Sequence, residues 1–440
     1  MKSDGGEGVD VAIVGGGYSG TMLAAQLARR GLSVALIEGG GRAGRGTAYS
    51  TPEGVHLLNV PAGKMSAWAD QPGHFAEVVA GEGYRSTDFV PRRRFGEYLR
   101  GILDSADVEV VEQQAVKAEP EGEGWAVELT DGSRVRVKAL ALAQGNQPPE
   151  PLRVAQGISP NLFVNDPWSD EGRAAVAEVA ERGGDVLIVG TGLTMVDVVL
   201  SLDAAGHPGR IMALSRRGQI PRAHAPHDTV SVERDEVPQG SVLALWRWLR
   251  RRAGEHGWRG TVDSLRPYSQ ALWQCFSEAE QGRFLRHARP WWDVHRHRIA
   301  PEVAAVLERL IGEGRLEIVA GRIEQMAPGN QKLDVAIKRR GMDKASSYQF
   351  ALGVNCTGPL GAIRKSADGV LQGLFAANLA RPDRLGMGLE VDGRSRLDGA
   401  PRAWAVGPLT KGRFWEIVAV PDIRHQVAAV ADDIAEELKP

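Results

Sequence analysis

The chain has 440 residues, 43% of them hydrophobic and 25% charged, with a formal net charge of −2. That length exceeds one ordinary core and predicts two domains, and the near-neutral balance gives no pull toward nucleic acid or an anionic membrane. Its two cysteines, Cys275 and Cys356, exclude a disulfide framework and a CxxC pair, while a polar start and the lack of any apolar run of transmembrane length predict a cytoplasmic protein.

The first element, "VDVAIV", is a buried-strand run broken only by Asp10. Gly15, Gly17 and Gly20 then form G-x-G-x-x-G, with Ser19 inside the turn, and lead into an apolar helix. The first glycine permits the tight turn, the second lets backbone approach a pyrophosphate, and the third lets helix pack on strand. The helix N-terminus adds amide donors and positive partial charge. The next strand, "LSVALIE", ends in Glu38, an acceptor for ribose hydroxyls. Strand, turn, helix, strand and acid in that order predict a dinucleotide site. Farther on, "HLLNVP" sets Asn59 after an apolar run as a polar group for a site, and Lys64, Arg94 and Lys411 are candidate partners of phosphate or carboxylate. A meander with a hairpin turn at Asp131-Gly132 closes in an apolar strand ending at Gly145.

The plan then repeats. "DVLIVGTGLTM" carries Gly190, Gly192 and Thr194, but Met195 stands at the third glycine position. The following strand, "RIMALS", ends in Arg216-Arg217 rather than an acid. Two guanidiniums there suit a 2′-phosphate, or form a solvated basic loop. Residues 238–300 read as helical and rich in tryptophan, either a cover over a cleft or packing. Within them, "HRHRIAP" offers Arg296 and Arg298 to phosphate or an acidic substrate, or as a solvated helix end. His287, His295 and His297 lack the spacing and partners of zinc ligands, so no metal is expected. "WRWLRRRAGEHGWRG" mixes basic and aromatic residues, but two nucleotide-type turns in a near-neutral chain argue against an RNA contact. A second meander closes in an apolar strand ending at Gly358 and echoes the first module. Last comes "RAWAVGPLTKGRFWEI": a strand, a turn at Gly407, and a helix from about Trp415, with Ile423, Val427, Val430 and Ile434 at helical spacing. Glu416 is the acid–base candidate there, or an exposed cap.

An acid-ended first unit followed by an arginine-ended second resembles flavoproteins with two dinucleotide-binding domains, the first holding FAD and the second, inserted, holding NADPH. "LALAQGNQPPEP" resembles the linker into the inserted domain. Residues 402–417 resemble the segment that closes the FAD domain, where many relatives carry Gly-Asp and this chain has Gly407-Pro408. "GRGTAYS", "HLLNVPAGKMSAW", "WWDVHRHRIAP", "NCTGP" and "GRFWEIVAVPDIRHQ" together resemble a bacterial family of FAD/NAD(P)-binding proteins. The domain order is similar to that of N-hydroxylating and flavin-containing monooxygenases, although "LFVNDPWSD" lacks the Gly and His of their F-x-G-x-x-x-H fingerprint.

The resemblance implies an α/β fold of two nested Rossmann-like dinucleotide-binding domains with β-meanders and a helical insertion. Residues 1–160 and 345–440 would form the FAD domain, and 161–344 the NADPH domain, with the insertion at about 238–300. The cofactor-binding expectations are Gly15, Gly17, Ser19, Gly20, Glu38, Gly145, Gly358 and Gly407 for FAD, with Gly190, Gly192, Thr194, Arg216 and Arg217 for NADPH. Asn59, Trp415 and Glu416 are the catalytic-site candidates. The expected function is an FAD- and NADPH-dependent monooxygenase that hydroxylates a small-molecule substrate through a flavin hydroperoxide. The alternatives are an NADPH-dependent flavin reductase or oxidase serving a small acceptor or partner protein, and a non-enzymatic flavin-bearing sensor or scaffold. The sequence sets no oligomeric state.

Overall fold

The computed structural model describes residues 8–439; the polar lead-in at 1–7 lies outside the described residues. The first sheet comprises β1 (Val9–Val14), β2 (Val34–Ile37), β3 (Glu109–Val111), β4 (Ala115–Glu121), β5 (Gly124–Leu129) and β6 (Arg134–Leu142), in the order β3-β2-β1-β6-β5-β4. β1, β2, β3 and β6 run parallel, and β4 to β6 form the antiparallel meander. Val11, Ala12 and Ile13 are fully buried, as a parallel strand covered on both faces requires.

The second sheet contains β7 (Phe163–Val164), β8 (Val186–Val189), β9 (Ile211–Ser215), β10 (Leu316–Pro328), β11 (Leu333–Arg339), β12 (Ser346–Phe350) and β13 (Leu352–Asn355). Their order is β12-β11-β10-β9-β8-β13-β7. The chain then returns to the first sheet as β14 (Ala403–Ala405), parallel to the C-terminal half of β6. Each glycine-turn strand therefore sits inside its sheet: β1 between β2 and β6, and β8 between β9 and β13.

This topology moves one expected boundary. β12 and β13 lie C-terminal to residue 344, yet both belong to the second sheet. β13 is buried along its whole length, and it finds cover on both edges only between β8 and β7. The second meander is also attached differently from the first. β10 pairs with β9 through residues 316–320 and then with β11 through 321–328, so the meander extends from the far side of β9.

The insertion is helical, with helices at Val242–His256, Trp258–Ser264, Ser269–Cys275, Glu278–Arg283 and Arg289–Arg296. Trp248, Trp273 and Trp292 are buried in a core of their own with Phe276 and Phe284, so these tryptophans first of all pack the insertion. The closing helix runs Val420–Glu437, with Pro421 in its first turn. It buries Ile423, Val427, Val430 and Ile434 in the same core as Met22 and Leu23 of helix Tyr18–Ala28. It begins at Val420, not near Trp415, and Glu416 ahead of it has a positive φ of 66° that breaks any helix there. Among the described residues, no helix is long and apolar enough to cross a membrane, and no group of three or more His, Cys, Asp or Glu is placed to hold a metal ion.

Candidate active site

The first glycine turn is fixed by backbone demands. Gly15 donates its N–H to the Ile37 carbonyl at 2.9 Å and holds a φ of +107°. A Cβ there would lie 2.6 Å from the Ala143 carbonyl oxygen, and one at Gly20 would overlap the Gly15 carbonyl. Gly17 differs: its nearest neighbour to an added Cβ is Gly46 Cα at 3.7 Å, and it lines the cleft. Gly17 is also the extended N-cap of helix Tyr18–Ala28, which no side chain caps. A helix N-terminus left open behind a side-chain-free residue fits a pyrophosphate. Glu38 accepts the Gly16 N–H at 2.8 Å and the Gly40 N–H at 3.0 Å, which pins its carboxylate at the end of β2. Gln144 contributes a buried Oε1 with no hydrogen-bond partner beside the same cleft, an acceptor that suits a donor on a bound cofactor.

The second turn repeats the backbone. Gly190 donates to the Leu214 carbonyl at 2.8 Å with φ +114°, and an added Cβ would run into the Cys356 carbonyl. Gly192 is the extended, uncapped N-cap of helix Leu193–Ala204, with open space around its Cβ position. These matching bonds make Ile37 and Leu214 equivalent, and hence Glu38 and Ser215. Ser215 Oγ accepts from Thr191 Oγ1 at 2.8 Å and from the Gly218 N–H at 3.0 Å. A neutral hydroxyl thus does the holding that a carboxylate does in the first turn. Arg216 is exposed and Arg217 half-buried, and neither is in an ion pair among the described residues.

One cleft of about 1430 Å³ collects most of the expected residues. Gly15, Gly17, Ser19, Glu38, Asn59, Gly145, Thr194 and Gly358 all line it. Gly20 lies beneath the turn. Gly190, Gly192, Arg216 and Arg217 lie beyond its second-turn end, which Leu193 and Thr194 mark. Gly407 abuts Ser19, so that a Cβ there would overlap Ser19 Oγ, and its neighbour Pro408 takes the lining position.

Trp415 and Glu416 are not on this cleft. Trp415 stacks on Trp273 at 4.6 Å and meets Phe284 edge-on, which makes it part of the insertion's packing. Glu416 is not an exposed cap. It is 7% exposed, accepting Trp292 Nε1–H at 2.5 Å and Arg296 Nε–H at 3.1 Å. Arg94 pairs with Glu82 at the surface, away from the cleft.

Several lining residues carry no motif. Arg42, Arg45 and Thr47 come from a loop and the short helix Gly46–Tyr49 after it, which close over the first turn where the Gly44 N–H bonds the Gly16 carbonyl at 2.9 Å. Their sequence signal is a glycine-rich, basic stretch just after Glu38, whose "GRGTAYS" part carries the family resemblance but names no role for Arg45 or Thr47. Arg92 makes a bidentate pair with Asp197 at 2.8 and 3.0 Å, both largely buried, tying the first unit to the second-turn helix. His224 bonds the Asn59 carbonyl at 3.0 Å and joins the units again at mid-cleft; burial holds its imidazole below the usual histidine range.

Residues 12–147 match the model of a family described as FAD-NAD(P)-binding. No curated protein matches the chain. Among solved structures, the reduced form of ornithine hydroxylase from Pseudomonas aeruginosa is similar, with a TM-score of 0.70, 16% identity, and 98% of this chain and 100% of that one covered. L-lysine 6-monooxygenase from Pseudomonas syringae gives 0.68 at 15% identity over the same shares. Thioredoxin reductase from Lactococcus lactis gives 0.58 at 14%, again over 98% and 100%. At these identities the likeness is one of fold.

Proposed function

We propose that this FAD-NAD(P)-binding chain is an FAD-dependent monooxygenase that takes electrons from NADPH and hydroxylates a small substrate. The observation that carries the reading is the shared cleft: Gly15, Gly17 and Ser19 of one turn and Leu193 and Thr194 of the other line a single cavity. The Arg92–Asp197 pair and the His224–Asn59 bond hold the two units on that cavity. The first turn and Glu38 would bind the pyrophosphate and ribose of FAD, with Gln144 accepting a hydrogen bond. The second turn would bind the pyrophosphate of NADPH, and Arg216 beside Ser215 would take the 2′-phosphate. When bound, FAD supplies the two-electron uptake and the reaction with O2.

The net reaction consumes NADPH, a proton, O2 and a substrate C–H or N–H, and yields NADP+, water and the hydroxylated product. The helical insertion would help to shield the cleft from bulk water. Its residues Arg266, Arg296 and Arg298 line the cavity, backed by the Trp248–Trp273–Trp292 core. The sulfur chemistry of a disulfide reductase has no support here. Both cysteines are free, Cys356 is buried with its thiol pushed well up by that burial, and Cys275 is exposed on the insertion. Two of the similar structures are an ornithine hydroxylase and a lysine monooxygenase, which supports an amine-bearing substrate.

One observation favours the reductase or oxidase reading. The fingerprint Gly and His are missing from "LFVNDPWSD", and Asp166 and Trp168 of that segment line the cleft instead. The test is turnover under labelled O2 with a panel of small amines. One labelled oxygen in the product supports the monooxygenase. Stoichiometric hydrogen peroxide and no oxygenated product with any of them would leave the oxidase.

A further inference from the structure

The cleft does not end at the flavin-site residues. Gly63, Lys64 and Arg266 line it and also line an adjoining cavity of about 820 Å³, so they stand where the two meet. Arg296 faces the cleft from the last helix of the insertion. Its Nε is fixed by Glu416, whose other oxygen is held by Trp292, yet its Nη2 is buried without a hydrogen-bond partner. Arg266 comes no closer to a carboxylate than 3.9 Å, at Asp422 Oδ2, and that oxygen is itself buried and unbonded. Lys64 is exposed and in no ion pair among the described residues. Arg298, by contrast, is satisfied by a bidentate contact with Asp263 at 3.1 and 2.6 Å.

Lys64 and Arg266 thus stand at the junction with unused donors, and Arg296, close enough to act on the charge of Arg266, faces the same cleft. The carboxylates acting on Arg266 are Asp422, Glu416 and Asp263; Asp432, Asp433 and Glu436 also line the adjoining cavity, where Asp432 is paired with Arg30 and Asp433 with Arg394 and Arg396. Glu416 is consumed by Arg296 and Trp292, and Asp263 by Arg298. Burial raises Asp422 above the usual carboxylate range, which weakens it as a counter-charge. Burial and the nearby Arg296 push the Arg266 guanidinium below its ordinary value, the mark of like charges held together out of water. Cations so placed, with donors unspent, are matched by a planar or tetrahedral oxyanion that accepts several charge-assisted hydrogen bonds.

We propose that Lys64, Arg266 and Arg296 form a substrate subsite that binds an oxyanion, a carboxylate or phosphate group, and holds the rest of the substrate toward the flavin end of the cleft. The proposal rests on the monooxygenase reading for its word substrate, but the anion site stands on its own geometry. The competing source of the same chemistry is the pyrophosphate of NADPH.

The test uses the full-length, FAD-loaded protein and two matched probes, benzoate and its neutral isostere benzamide, with inorganic phosphate as a third. Binding is read at constant ionic strength by tryptophan fluorescence, since Trp292 and Arg296 donate to the same Glu416 carboxylate. Benzoate and phosphate are expected to titrate saturably, and benzamide to bind at least about tenfold more weakly. Arg266→Met and Lys64→Met are each expected to weaken benzoate by about tenfold. Lys64 is exposed, so its variant reads the site even where an arginine variant fails to fold. Equal binding of benzoate and benzamide, or unchanged benzoate binding in both variants, would overturn the proposal. So would an effect of Arg266→Met that falls on the NADPH concentration for half-maximal flavin reduction and not on benzoate, because the site would then hold cofactor phosphate. If NADPH fails to reduce the wild-type flavin while benzoate still titrates, the monooxygenase reading falls and the anion site remains.

Discussion

The two glycine turns are built alike and finished differently. Gly15 and Gly190 share a φ near +110°, each backed by a carbonyl that no side chain can displace, Ala143 in one and Cys356 in the other. Gly17 and Gly192 share an uncapped helix N-terminus and room for a Cβ, in ordinary contact with Gly46 at the first and in open space at the second. They part at two positions. Gly20 must lack a side chain because the Gly15 carbonyl fills its space, whereas Met195 is fully buried at the equivalent position. Glu38 closes the first turn with a carboxylate, whereas Ser215 closes the second with a hydroxyl. The turn is therefore a backbone device indifferent to which dinucleotide it meets. In the proposed reading, cofactor choice would reside in the strand-end side chain, where a carboxylate would repel a 2′-phosphate and a hydroxyl next to Arg216 would not.

The largest effect is expected from uncoupling the turns. Asp197→Ala removes the partner of Arg92 and leaves a largely buried guanidinium unpaired, a loss of about 3–5 kcal/mol in unfolding free energy. Chemical denaturation of the variant measures it, and a loss under 1 kcal/mol would show the pair to be solvated. Next come the two open glycines. Gly17→Val and Gly192→Val have room for the new side chain in the free protein, so both are expected to fold. Each should lose about 3 kcal/mol of cofactor binding, roughly a hundredfold, through displaced charge-assisted bonds. The losses should separate, with flavin content falling in Gly17→Val and NADPH affinity in Gly192→Val. A shared loss would mean the turns do not serve separate cofactors.

Smaller is the effect of Arg216→Ala with Arg217→Ala, where NADPH binding should weaken about tenfold and NADH binding stay as it was. Equal losses for both cofactors would place the arginines off the 2′-phosphate. The smallest is Glu38→Gln. It keeps the shape but removes the charge and leaves one oxygen to accept from either Gly16 or Gly40, and costs about 1 kcal/mol of FAD affinity by flavin titration.

The features that were legible in the sequence are those that backbone chemistry enforces. Gly15 and Gly190 sit where L side chains do not fit, and the apolar runs Val11–Val14 and Val186–Val189 are strands covered on both faces. What was not legible depends on partners distant in sequence. β13 reads as a closing strand of either unit, and only its pairing with β8 and β7 assigns it. Trp415 and Glu416 read as a helix start ahead of the apolar spacing Ile423, Val427, Val430 and Ile434, but Glu416 has a positive φ and the helix begins at Val420. Arg92 and Asp197 stand 105 positions apart in unrelated segments, and no periodicity connects them. Arg266 and Lys64 line one cleft although they come from segments far apart in the chain.

The central claim is that both turns feed one cleft, and anaerobic rapid mixing of the FAD-loaded protein with NADPH tests it most directly. The expected result is loss of the oxidised flavin absorbance within a single turnover in the wild type, and at least a hundredfold less efficient reduction in Gly192→Val at full flavin content. A flavin that stays oxidised at saturating NADPH, or one that Gly192→Val leaves equally reducible, would contradict it.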